Sequence, residues 1–134
     1  MTTSRIVMVT SSLVLAAAGT ACLFLPAELL VWLDYTEVDP LFLQLIGALY
    51  LGFAAANWTA RGSMIGGIYS RPLSIGNLMH FFVGTAVVVK QWAMPLDTAY
   101  LIVAIVYAVF AVLFAWLLFS APRVAAGKGA RKRR

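Results

Sequence analysis

The sequence predicts an all-α membrane protein, a bundle of four transmembrane helices, and three observations lead there. Hydrophobic residues make up 63% of the 134 and charged residues only 11%, where a soluble domain carries about 25% charge. Four apolar runs, 6–25, 41–60, 73–89 and 98–120, account for most of the chain. Each is close to the roughly 20 residues that cross about 30 Å of hydrocarbon as a helix. The charges lie almost wholly between and after these runs. Residues 1–122 therefore read as one transmembrane domain and 123–134 as a basic tail.

Taken in order, run 6–25 has the start of a signal peptide, with Arg5 before it and Ala16-Ala17-Ala18 as small residues for cleavage. Because the apolar character continues through Leu23-Phe24-Leu25, the expectation is an uncleaved helix. Gly19-Thr20-Ala21-Cys22 is a poor lipoprotein box, with Gly19 where a Leu is wanted. Cys22 is the single cysteine, which rules out an internal disulfide and any dithiol chemistry within one chain. Pro26 then suits the first position of a new element. In 27–34, Leu29, Leu30 and Leu33 fall on one side and Glu28 on another, with Trp32 as an interface anchor. This predicts a short amphipathic turn on the membrane surface. Asp39-Pro40 reads as a cap followed by the first residue of the second long helix.

The second long helix carries Ala48, Gly52, Ala56 and Ala60 at a spacing of four. A ridge of small residues lets another backbone approach closely, and close van der Waals contact is a main attraction between helices in lipid. The first helix has a shorter version in Ser12, Ala16 and Thr20. Packing inside the bundle is expected of these ridges in preference to a dimer seam. In the third helix Gly76 and Gly84 flank His80 at the same spacing. The fourth, carrying only Tyr107 and Trp116 among aliphatic and other aromatic residues, is the expected lipid-facing or partner-facing helix.

Charge predicts orientation. Arg5, Arg61, Arg71 and the six basic residues after position 122 fall on one side, and only Lys90 on the other. Positive charge favours the cytoplasmic side, so both termini and the 61–72 loop are expected there. All five acids, Glu28, Asp34, Glu37, Asp39 and Asp97, fall on the opposite side. Such asymmetry argues against dual-topology fluoride channels. The lack of a carboxylate within any apolar run argues against small multidrug exporters.

Most of the polar chemistry gathers between 57 and 80. Asn57 lies at the inner end of the second helix, and Asn77 and His80 share a face of the third, three residues apart. Polar groups in hydrocarbon are costly and are usually paired or functional. Two readings follow. One is an interhelical hydrogen-bond clasp from Asn57 to Asn77 or His80. The other is a small-molecule pocket opening to the cytoplasm, walled by Trp58, Tyr69 and Phe81, in which Asn57, Asn77 and His80 orient the ligand. One histidine without a neighbouring Cys, Asp or Glu is too few ligands for a metal or haem unless a second chain contributes. No nucleophile, base and orienter come together, so no catalytic residue is assigned. Residues 62–69 are apolar for a loop and lack the phosphate-loop pattern. Arg61 and Arg71, which bracket that loop, suit lipid phosphate. The basic tail suits anionic lipid; nucleic-acid binding has only charge in its favour.

The first helix closed by Leu25-Pro26, the loop with Trp32-Leu33, the second helix opening Leu45-Ile46-Gly47-Ala48-Leu49-Tyr50-Leu51-Gly52, and a third helix after a basic loop together resemble the DoxX-like small four-helix membrane proteins. The resemblance is architectural and covers most of the chain. Some members of that group are associated with quinone-linked respiratory oxidoreductases. The absence of a cysteine pair means that no thiol role carries over. The expectation is a multi-pass protein of a bacterial inner membrane, in contact with lipids and with another membrane protein or further copies of itself. Its expected role is a non-enzymatic accessory or assembly subunit. The alternative is binding or transport of a hydrophobic molecule, a quinone or lipid, near the cytoplasmic ends of the second and third helices. The sequence names no cofactor.

Overall fold

In the computed structural model, residues 3–62, 70–92 and 98–120 are described. They form five helices: α1 (Thr3–Phe24), α2 (Pro26–Trp32), α3 (Pro40–Ala60), α4 (Ser70–Trp92) and α5 (Thr98–Ser120). No strand occurs among the described residues. Four of the helices, all but α2, are long and apolar enough to cross a membrane. The predicted four-helix architecture is present, and the protein is a multi-pass membrane protein in that sense. The third long helix is longer than the expected 73–89 at both ends. Pro72 falls in its first turn, where a residue without an N–H costs nothing because that group would have no helical acceptor.

The start and end signals act as their residue types dictate. Asp39 caps α3, its Oδ1 accepting from the Leu41 N–H at 2.9 Å, with Pro40 as the first helical residue. The short helix α2 begins at Pro26, buries Leu30, and leaves Glu28 and Trp32 exposed. It ends in a double-bonded turn: Tyr35 N–H donates to Leu30 O at 2.9 Å and Asp34 N–H to Val31 O at 3.2 Å. Asp34 carries the left-handed φ of 61° that this turn needs, a conformation that aspartate tolerates better than most residues.

The long helices pack as two intimate pairs, α1 along α3 and α4 along α5. In the first pair Gly19 and Gly47 meet backbone to backbone: a Cβ on either glycine would stand 2.8 Å from the other's carbonyl oxygen. Two turns away along the same seam, the Ser12 hydroxyl donates to Ala54 O at 2.8 Å. This corrects the expected packing ridge. Ala48 and Gly52 are exposed, and a Cβ on Gly52 would meet nothing within 4 Å. Ala56 is half-buried. The seam runs through Gly47 and Ala54, and Ala48, one residue on from Gly47, is turned about 100° away from it.

The pairs join around Phe81, which stacks on Phe110 at 4.9 Å and on Phe114 at 5.8 Å between ring centroids. Val7, Met8 and Leu15 of α1 complete this core with Ala54. The helix expected to face lipid or a partner, α5, therefore does two things. Its Phe110, Ala111, Phe114 and Leu117 fill the core, while Ile105, Val109, Val112 and Trp116 remain exposed. An evenly apolar helix hides which face is which, because lipid and core are alike apolar.

Candidate functional site

Two polar groupings lie between the helix pairs. The first is the clasp. Asn57 and Asn77, both fully buried, pair their amides reciprocally: Asn57 Nδ2 donates to Asn77 Oδ1 at 2.8 Å and Asn77 Nδ2 to Asn57 Oδ1 at 2.7 Å. The remaining amide hydrogens are also used. Asn57 Nδ2 donates to Ser11 Oγ at 3.1 Å, and Asn77 Nδ2 to Leu73 O at 2.9 Å. Ser11 in turn donates to Met8 O at 3.1 Å. Every N–H of both amides thus has an acceptor, and one network ties α1, α3 and α4 together.

His80 stands outside that network. One turn deeper on α4, its imidazole sits among the rings of Tyr50, Phe53, Phe81 and Tyr107, with centroids 5.0–5.5 Å away. Its Nε2 is buried and has no hydrogen-bond partner. Beside it the Tyr50 and Tyr107 hydroxyls share a hydrogen bond of 2.5 Å. Gly84 makes room for this arrangement, since a Cβ there would come within 2.4 Å of the Tyr107 ring. Gly76 is less constrained, with Phe53 at an ordinary 3.7 Å.

A groove of about 510 Å³ opens beside these residues, lined by Tyr50, His80, Gly84 and Tyr107 with Met79 and valines of α4 and α5. Its volume is in the range of small-molecule sites. Its location differs from the expected pocket. Trp58 is 46% exposed on the outside of α3, with the Arg61 guanidinium 4.1 Å above its ring, and Arg61 also donates to Trp58 O. Phe81 is core, not wall. Tyr69 lies outside the described residues, as does most of the 61–72 loop, and Arg71 is exposed in the first turn of α4. Asn57 and Asn77 face each other instead of a cavity.

Of the residues that the sequence groups, Asn57 and Asn77 meet, while His80 stands outside their network; Ser11, Tyr50 and Tyr107 were missed. The signal for the tyrosines was their depth: Tyr50 is central in α3 and Tyr107 close to central in α5, where a phenol lacks the water it finds at a membrane interface. Among the described residues no three His, Cys, Asp or Glu side chains cluster as metal ligands. Comparison with known proteins returns no match, neither to a family model nor to a curated protein or a solved structure.

Proposed function

We propose that this protein binds a hydrophobic small molecule, a quinone or lipid, taken up sideways from the bilayer into the groove beside His80, and that it does so without catalysing a reaction. The observation that carries this reading is the buried, unpartnered Nε2 of His80, a residue that lines a groove of ligand size. Buried polar atoms are nearly always paired, and an exception calls for an explanation. A bound molecule with a hydrogen-bonding group supplies one. The neighbouring Asn57–Asn77 clasp is saturated by protein groups and needs none.

The orientation proposed with this function is both termini cytoplasmic, in a bacterial inner membrane. Its support is the nine-to-one division of basic residues. Kinship with the DoxX-like proteins rests on architecture and the residues quoted above.

A second reading, the accessory or assembly subunit of a membrane complex, is favoured by a separate observation. Ala48 and Gly52 form an exposed small-residue step on α3 that none of the described helices covers. Native mass spectrometry of the protein released gently from its own membrane separates the readings. The binding reading expects a retained small molecule on the wild type that is lost from His80→Ala. A partner polypeptide, with no small molecule and no effect of His80→Ala, would establish the subunit reading instead.

A further inference from the structure

Three polar aromatic side chains from three different helices meet near the same depth, and that depth identifies the chemistry of the occupant. His80 is ten residues from Ser70 and twelve from Trp92, about 15 and 18 Å at 1.5 Å per residue. Tyr50 is ten residues from either end of α3, and Tyr107 is nine residues into α5 and thirteen from its end. All three therefore lie near the middle of about 30 Å of hydrocarbon. The phosphates and ester carbonyls of an ordinary phospholipid lie at the membrane surface, too far away to reach them.

The hydrogen-bond inventory then counts the donors on offer. Each tyrosine hydroxyl has one hydrogen to donate. Tyr50 and Tyr107 spend one of their two on each other, and neither hydroxyl has another partner among the described residues. One O–H donor is left over. In the tautomer with its proton on Nε2, His80 is a second unused donor, with its ring centroid 5.5 Å from that of Tyr50 and 5.4 Å from that of Tyr107. No hydrogen bond holds Nε2 in place, and His80 itself lines the groove.

We infer that the groove takes a neutral, largely apolar molecule whose carbonyl oxygen sits at bilayer mid-depth and accepts from His80 and the Tyr50–Tyr107 pair. This rests on the binding reading above and narrows it to a molecule that offers an acceptor oxygen at mid-depth, which a phospholipid headgroup does not. The groove's remaining walls, Met79, Val83, Val87, Val88 and Val103, suit a ring or chain with no further polar atoms.

The test uses the full chain, purified without a histidine tag, in phosphatidylcholine nanodiscs. His80 is the single histidine, so isotopically labelled histidine gives its ring nitrogens without overlap in NMR. Two probes share a phenyl ring and a ten-carbon chain and differ only at its first carbon, a carbonyl in decanophenone and a methylene in decylbenzene. The expected result is a saturable movement of the Nε2 resonance with decanophenone alone, and about tenfold tighter binding of the ketone, from one or two net hydrogen bonds. His80→Phe, which keeps a ring against Phe53 and Phe81, is expected to lower that preference by roughly threefold or more. Equal saturable binding of both probes with the resonance unmoved would overturn the carbonyl inference while leaving the binding reading standing. Absence of saturable binding by either probe would overturn both.

Discussion

Asn77 and His80 stand three residues apart on one face of α4, and their surroundings are opposite in kind. Asn77 meets an identical side chain from α3 and has every amide group engaged, with Ser11 of α1 completing the set. His80 sits among four aromatic rings, and its Nε2 is left without a partner. The difference separates two uses of polarity inside a membrane. A closed network holds helices in register and offers nothing to a ligand. An open one leaves hydrogen-bonding capacity that something else can meet.

The sharpest way to break that comparison is to remove one half of the closed network. Asn77→Leu leaves the Asn57 amide oxygen buried with no donor, and a loss of about 2–3 kcal/mol in stability is expected. The Asn57→Leu/Asn77→Leu pair should lose less than twice that, because it leaves no stranded amide. Reversible unfolding in bicelles, read as a double-mutant cycle, checks both. Next in size is Gly84→Ala. The new methyl group collides with the Tyr107 ring, and about 1–2 kcal/mol of overpacking is expected together with loss of the Tyr50–Tyr107 contact. Ultraviolet resonance Raman bands of the tyrosine hydroxyls would report that loss, and Gly76→Ala, where a methyl group meets Phe53 at an ordinary 3.7 Å, should leave them unchanged. The smallest effect is the most informative. His80→Phe without ligand is expected to stay within about 0.5 kcal/mol of wild type, since no hydrogen bond is removed and the ring packing is kept. A loss as large as that of Asn77→Leu would mean that His80 is a structural partner like its neighbour.

Much of the fold was legible because bilayer thickness is a length that a chain must match, and four runs of about 20 apolar residues match it. The caps were legible too: Asp39 and Pro40 act through their own side chains on their own backbone, with no distant partner required. The meeting of Asn57 with Asn77 was readable from the rarity of amides in such a chain and from their similar distance from the connecting loop. The packing ridge was misread at Ala48 and Gly52 because spacing identifies a smooth face but not what lies against it. The glycines that meet are Gly19 and Gly47, each against the other's carbonyl, with Leu51 also close to the first and Cys22 and Leu23 to the second.

The sequence by itself determined that the protein is a four-span helical membrane protein with its polar groups concentrated in few places. Composition and run length are properties of the chain alone, and hydrocarbon tolerates few alternatives. Only the tertiary structure decided which polar groups are satisfied. Whether an amide or imidazole has a partner depends on side chains from helices far apart in sequence, Ser11 with Asn57 and Tyr50 with Tyr107, brought to one depth by packing. In an evenly apolar chain no periodicity marks that arrangement beforehand, because core and lipid make the same demand on a side chain.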